Sequence, residues 1–243
     1  MLDESFISKI LTLSKPEYKE MDGRTYCTKN LHLIEPPSPK NLMFNSLDGL
    51  VQFLVSSVED FKSAHVFVKV NSYDEVEVLS SLDPDHATRF TFATAVMKNH
   101  QKEFPFDKFI DQEDFIIKLQ SLFVQDKITE KLLQIVGNIK EEDVRQASDD
   151  GVTQSVTAKS GAVMVTEIEL PNPVTLKPYR TFREVDQPES KFVLRVRKSR
   201  TGLPDIALFE ADGGVWKLTA MEKARLYLME KLNKTKKAFE VIM

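Results

Sequence analysis

A basic stretch between Val174 and Thr201 is the part of the chain whose residue types most suggest a binding surface. It holds eight basic and three acidic residues, a net charge of +5, whereas the whole 243-residue chain carries −4. Arg195 and Arg197 alternate with apolar residues in "FVLRVRKS", which places both on one face of a strand. Basic side chains beside aromatic rings suit the backbone and bases of single-stranded nucleic acid. The candidate nucleic-acid-binding residues are Lys177, Tyr179, Arg180, Arg183, Arg195, Arg197, Lys198 and Arg200.

The same stretch has a second interpretation, in which its arginines form ion pairs with acidic neighbours or contact another subunit. Runs of charge most often form solvated surfaces, which favours this interpretation. The negative charge of the whole chain also gives no global attraction to a polyanion.

Cysteine and histidine usage gives little support for metal chemistry. Cys27 is the only cysteine, so the chain can form neither an internal disulfide nor a cysteine-rich zinc site. His32, His65, His86 and His100 occur singly, without the close spacing that zinc ligands favour. We therefore predict no bound metal and no other cofactor.

The sequence also lacks the common catalytic motifs. It contains no P-loop, no Gly-x-Gly-x-x-Gly pattern after a strand and no Gly-x-Ser-x-Gly elbow. These absences weaken the case for nucleotide hydrolysis and for esterase chemistry without excluding an enzyme. They favour a non-enzymatic role.

A glycine pair precedes the last helical pattern and raises the question of a phosphate-binding turn. Thr219 and Glu222 have the spacing of a capping box, which predicts a helix that starts at Ala220. The Asp-Gly-Gly sequence at 212–214 is then a tight turn between the strand "IALFEA" and a short return strand at 215–217. Trp216, the only tryptophan, is predicted to be a packing anchor.

Periodicity predicts the elements of the first half of the chain. An amphipathic helix is expected over 5–13, a turn and a strand over 21–35, and a proline-rich linker over 35–41. Ser46 is expected to cap a helix, followed by a hairpin at 66–78 and a third strand at 88–97. Two more helices are expected, one capped by Asp111 and one ending at Gly137.

The second half changes to an alternating pattern after an acidic, polar segment at 141–151. Strands are expected about a Lys-Ser-Gly turn at 159–161, in "KFVLRVRKS" and in "IALFEA". The chain is therefore predicted to be α+β, with mostly antiparallel sheets and a few packed helices. Its predicted divisions are an N-terminal arm and linker at 1–41, an α+β subdomain at 42–140 and a β-rich subdomain with a C-terminal helix at 151–243.

The sequence shows no targeting or membrane segment. The N-terminus places acidic residues before a short apolar patch, and no apolar run reaches the roughly 18 residues that span a bilayer. With a single cysteine, these features predict a protein of a reducing cytoplasm.

The order of the predicted elements resembles the YfdQ-like family of prophage proteins over roughly residues 42–232. The resemblance is carried by "SLDGLVQFLVSS" with its hairpin, "FIDQEDFIIKLQ", the Lys-Ser-Gly turn, and "LPNPVTLKPYRTF" leading into "FVLRVRKS". It implies a phage-encoded protein of the bacterial host cytoplasm that is not part of the virion, often encoded near DNA replication and recombination functions. It carries over no catalytic residue.

We thus predict a non-enzymatic, self-associating bacteriophage accessory protein that binds single-stranded nucleic acid or a host factor, in phage DNA metabolism or counter-defence. An alternative is a binder of nucleotides or other small molecules, or an enzyme that acts on them against host defence signalling. A third hypothesis is a structural component of the virion.

Self-association is predicted from the apolar C-terminus "FEVIM" and the proline-bounded arm "EPPSPKN". An apolar terminal strand docks either on its own sheet or on a neighbouring subunit. Light scattering at micromolar concentration should give a mass above the 27.8 kDa of one chain. A mass of one chain would contradict the prediction.

Overall fold

The computed structural model describes the chain in twelve segments. These are residues 3–21, 23–29, 40–56, 58–59, 65–83, 88–97, 103–139, 159–160, 164–165, 172–199, 204–233 and 239–243. The chain forms two compact units, Met1–Ser38 and Pro39–Met243.

The first unit contains a helix and a hairpin. Helix α1 (Glu4–Leu13) confirms the predicted amphipathic helix, and strands β1 (Tyr18–Met21) and β2 (Arg24–Cys27) pair antiparallel. None of the α1 side chains is buried, and Leu13 is 72% exposed. The proline-rich linker lies largely outside the described residues.

The second unit combines helices and strands, which confirms the α+β prediction. Its helices are α2 (Leu47–Val55), α3 (Gln112–Leu122), α4 (Lys127–Asn138) and α5 (Trp216–Asn233). Its strands are β3 (Leu42–Phe44), β4 (Val66–Val70), β5 (Glu75–Ser80), β6 (Thr91–Val96), β7 (Ile110–Asp111), β8 (Lys159–Ser160), β9 (Met164–Val165), β10 (Val174–Leu176), β11 (Ser190–Arg197), β12 (Asp205–Glu210) and β13 (Glu240–Ile242).

A five-stranded sheet, ordered β13-β4-β5-β6-β3, is the larger sheet of this unit. The predicted hairpin is the antiparallel pair β4 and β5, and β6 continues the sheet. The edge strands β13 and β3 pair parallel to β4 and β6. The apolar C-terminus therefore docks on its own sheet. Helices α2 and α5 bury Leu50, Leu54 and Leu228 in a core with the valines of β4 and β5.

A four-stranded antiparallel sheet, ordered β10-β11-β12-β7, supports a second core. Phe115 and Leu119 of α3 pack there with Leu132 of α4 and the inward-facing residues of β11 and β12. Strands β8 and β9 form a separate short antiparallel pair near the predicted position. The predicted Lys-Ser-Gly turn at 159–161 is wrong in its first two residues, because Lys159 and Ser160 form β8.

Residues 177–189, between β10 and β11, form a connector that is partly buried although it has no regular structure. Phe182 and Val185 of the connector pack in the first core, while the strands at its two ends belong to the second. The amide of buried Gln187 organises the turn: its oxygen accepts from the backbone N–H of Arg180 and Thr181, and its nitrogen donates to the carbonyls of Phe182 and Val185. Side-chain hydrogen bonds thus replace the missing secondary structure.

Helix caps confirm most predicted helix starts. Ser46 accepts a hydrogen bond from the N–H of Gly49, and Asp111 accepts one from Asp114. These side chains satisfy backbone donors that the first turn leaves unpaired. Gly137 lies within α4, one residue before its end, and the prediction that it follows the helix is wrong by that margin.

The predicted start of α5 is wrong. The helix begins at Trp216, four residues before Ala220, and no return strand forms at 215–217. Gly213 and Gly214 have φ values of 62° and 80°, so the chain turns directly into the helix. Glu222 pairs with Arg225 and forms no capping box with Thr219, whose hydroxyl donates to the carbonyl of Val215.

Strand pairings connect the two ranges predicted to form subdomains, 42–140 and 151–243. Both ranges lie in the second compact unit, and their separation into subdomains stays a prediction. Strand β13 completes the sheet of the first range, and β7 pairs with β12 of the second. Such pairings join distant parts of the chain, and local periodicity carries no information about them. The segment 141–151 lies outside the described residues.

Candidate ligand-binding pocket

The structure places the eight basic-stretch candidates in different environments. Lys177 forms an ion pair with Glu189 at 3.3 Å, and Arg197 forms one with Asp205 at 3.0 Å. Arg183 is exposed with its guanidinium 3.9 Å from the ring centroid of Tyr179, Lys198 is exposed, and Arg200 lies outside the described residues.

The predicted alternation of β11 is confirmed. Leu194 and Val196 are buried in the second core, whereas Arg195 and Arg197 project from the opposite face. Arg180 lies on the core side, because its guanidinium is 5.6 Å from the ring centroid of the buried Phe192. Arg180 therefore lies on the opposite side of the sheet from Arg195 and Arg197.

Arg180 is the most constrained of these residues. Its side chain is 12% exposed and forms an ion pair with Glu210. The guanidinium lies 3.8 Å from the ring centroid of Trp216 and 5.1 Å from that of Phe106. It also donates to the hydroxyl of Ser190. Cation–π contacts of this kind are strongest where water is excluded.

Two opposing effects act on the pKa of Arg180. Burial lowers the pKa of Arg180 below its ordinary value, and the nearby Glu210 carboxylate opposes part of this shift. Arginine is effectively always protonated in proteins, so the guanidinium carries its charge beside Glu210. The site therefore contains a permanent cation whose charge is largely neutralised by its partner.

A cavity of about 250 Å³ opens beside this arginine, which we call the Arg180 pocket. It lies where the β4–β5 turn, the segment 103–106, the connector and the start of α5 meet. Aromatic residues from all four segments form its walls, and Tyr73 and Trp216 have ring centroids 4.8 Å apart. The lining residues are Tyr73, Asp74, Met97, Glu103, Phe104, Phe106, Leu122, Pro178, Tyr179, Arg180, Glu210, Trp216 and Lys217.

Two residues of the pocket carry buried donors that the described part of the chain leaves without a hydrogen-bond partner. These are Nε of Arg180 and Nε1 of Trp216, and Trp216 is only 5% exposed. An unsatisfied buried donor costs about 1–3 kcal/mol, so an acceptor supplied to either would be stabilising. The residues that form the site thus have unused hydrogen-bonding capacity.

The charges that line the pocket are mixed. Three carboxylates, of Asp74, Glu103 and Glu210, face two cationic groups, of Arg180 and Lys217. Burial raises the pKa of the Tyr73 hydroxyl, and the neighbouring Asp74 and Glu103 raise it further. The hydroxyl is therefore protonated at neutral pH and can donate a hydrogen bond.

Sequence reasoning identified Tyr179 and Arg180 as functional candidates but missed the rest of the pocket. Tyr73, Phe104 and Phe106 lie far from the connector in sequence, and no local pattern connects them. Trp216 was predicted to be a packing anchor, and it is buried as expected, but it also forms a pocket wall. The glycine pair just before Trp216 was the sequence feature that could have indicated a pocket there. The predicted capping box at Thr219 and Glu222 led instead to a helix start at Ala220.

Other kinds of site receive no support within the described ranges. No group of three or more His, Cys, Asp or Glu side chains there could hold a metal ion. His32, His86 and His100 lie outside those ranges. None of the helices described combines the length and hydrophobicity that a bilayer crossing requires.

Comparison with known proteins identifies no relative of this chain. No protein-family model, curated protein or solved structure matches the chain. The resemblance to the YfdQ-like family therefore stays a prediction.

Replacing Arg180 by methionine should lower the free energy of unfolding by about 3 kcal/mol, the lower end of the range for breaking a buried ion pair. The lower end is expected because the partner, Glu210, keeps 33% of its side chain exposed. Methionine preserves a long unbranched side chain but removes the charge and the donors. Urea denaturation followed by circular dichroism measures the change.

Arg197→Met is the matched control, since Arg197 also pairs with a carboxylate and lies over a ring, that of Phe109, but its side chain is 56% exposed. A loss of about 0–1 kcal/mol is expected for an exposed pair. Equal, small losses in both variants would contradict the structural role assigned to Arg180.

Proposed function

We propose that the protein is a binding protein whose site is the Arg180 pocket and whose ligand is a small planar molecule. The observation that carries this proposal is an aromatic-walled cavity flanked by two buried donors that lack partners. Concave, mostly apolar sites with a few convergent polar groups are the usual form of ligand sites.

The shape of the pocket supports a planar ligand. Five aromatic side chains line the cavity, those of Tyr73, Phe104, Phe106, Tyr179 and Trp216, and walls of this kind favour contact with another flat ring. The volume of about 250 Å³ falls just below the roughly 300–1,000 Å³ of common ligand pockets. A ligand of one or two fused rings therefore suits it better than a larger molecule.

This proposal corresponds to the small-molecule hypothesis drawn from the sequence. Binding of single-stranded nucleic acid gains less support, because Lys177, Arg180 and Arg197 are paired with carboxylates. The phage setting, the cytoplasmic location, a host partner and self-association stay predictions. Self-association retains one structural argument, the exposed apolar side chains of α1 such as Leu11 and Leu13.

Trp216 allows a direct test, because it is the only tryptophan and it lines the pocket. Its fluorescence should be quenched saturably by at least one of three planar probes: benzamide, benzimidazole and nicotinamide. A dissociation constant on the order of 1 mM is expected for molecules of this size. Tyr73→Ala removes one wall and should weaken binding about tenfold, since stacking on an aromatic side chain is worth about 1–3 kcal/mol.

Tyr18→Ala is the matched control, because Tyr18 lies in the first unit and is 62% exposed. It should leave the titration unchanged. The proposal fails if none of the three probes quenches Trp216 saturably, or if Tyr73→Ala has no more effect than Tyr18→Ala.

A further inference from the structure

The first unit has no hydrophobic core among its described residues. Every residue of Met1–Ser38 whose burial the structure describes is exposed, including the whole of α1. Units below about 40 residues usually need a disulfide, a metal or association with another chain to hold their structure. This unit contains one cysteine and one histidine, too few for an internal disulfide or a zinc site of the usual composition. Association is the route that remains.

Helix α1 presents one continuous apolar face, which we call the α1 face. At about 3.6 residues per turn, its apolar side chains fall within an arc of about 160°, and the serines, the threonine and Lys9 occupy the opposite side. A helix of ten residues with no buried face is marginal in water. The α1 face consists of Phe6, Ile7, Ile10, Leu11 and Leu13, each at least 47% exposed.

The area of the α1 face fits an interface between two copies. At these exposed fractions, the five side chains offer roughly 500 Å² per copy, so two copies bury roughly 1,000 Å², the lower limit for a specific interface. The pairing of two α1 faces therefore requires no further contact to reach that limit.

The charges around α1 are complementary to those of a second, antiparallel copy. Residues 3–15 carry two acidic residues, Asp3 and Glu4, and two basic ones, Lys9 and Lys15, so their net charge is zero. The acidic residues lie at the start of α1, and Lys15 lies two residues beyond its end. An antiparallel pair places Lys15 of each copy beside Asp3 of the other and opposes the two helix dipoles. A parallel pair would place like charges side by side.

We infer that the α1 face is a dimer interface, in which two copies of the chain pair antiparallel about a two-fold axis near residue 9. A membrane surface is the other common partner of an amphipathic helix. Helices of that kind are rich in Lys and Arg on the polar face, whereas Lys9 is the only basic residue within α1. The inference goes beyond the proposed function and is independent of it.

Analytical ultracentrifugation of the full chain tests the interface. The wild type should dimerise with a dissociation constant on the order of 10 μM, as suits an interface of the smallest size class. Ile10→Lys should weaken dimerisation at least about thirtyfold, because two-fold symmetry buries two unpaired ammonium groups. Ile10 lies in neither core, so urea unfolding of the variant should match the wild type, which excludes misfolding as the cause.

Leu226→Lys is the matched control. Leu226 lies on a helix of the second unit and is 52% exposed, against 50% for Ile10. This variant should dimerise as tightly as the wild type.

Chemical cross-linking tests the antiparallel orientation. In a Cys27→Ser background, which removes the only native thiol, Ile10→Cys and Ser14→Cys are each treated with a short bismaleimide. Ile10 lies beside the inferred axis and should give a cross-linked dimer. The two Ser14 positions lie about 15 Å apart along the helices and should not.

Four results would overturn the inference. The first is a mass of one chain, 27.8 kDa, at concentrations well above the expected dissociation constant. The second is an Ile10→Lys variant that dimerises as tightly as Leu226→Lys. The third is equal cross-linking at both positions, or at neither. The fourth is a monomer that sediments with vesicles of phosphatidylcholine and phosphatidylserine through the α1 face, which would assign this face to a membrane surface.

Discussion

The guanidinium of Arg180 lies between aromatic rings from two parts of the second unit. Trp216, on one side, begins the helix whose later turns bury Ala224 and Leu228 in the first core. Phe106 and Phe192, on the other side, belong to the second core. A buried charge is tolerated only where it is paired and hydrogen-bonded, and Glu210 and Ser190 meet that requirement. The position of α5 relative to the four-stranded sheet depends on this arrangement.

The connector, residues 177–189, also links the two cores through its backbone. Its two ends are fixed by β10 and β11 in the second core, while Phe182 is inserted in the first. The hydroxyl of Thr181 donates to the carbonyl of Tyr73, so the connector also fixes the β4–β5 turn. The Arg180 pocket is the space left where these constrained segments meet. Its walls are consequently held by residues that also stabilise the fold, which favours a preformed site.

Local features of the sequence were sufficient for most elements, because the residues that define them are neighbours in the chain. Ser46 and Asp111 cap helices as their side-chain chemistry predicts, and the alternation around Arg195 sets the two faces of β11. The start of α5 could not be predicted in this way, because Gly213 and Gly214 offer a tighter entry than the capping box. The pocket could not be predicted either, since Tyr73, Phe106 and Trp216 meet only after both sheets have formed.

Hydrogen exchange in the Arg180→Met variant tests most directly whether this arginine couples the two cores. The account predicts that protected amides of β5 in one sheet and β11 in the other both exchange faster. An increase of about a hundredfold would correspond to a loss of about 3 kcal/mol where exchange requires global unfolding. Faster exchange confined to β11, with β5 unchanged, would show that the two cores are independent and would contradict the account.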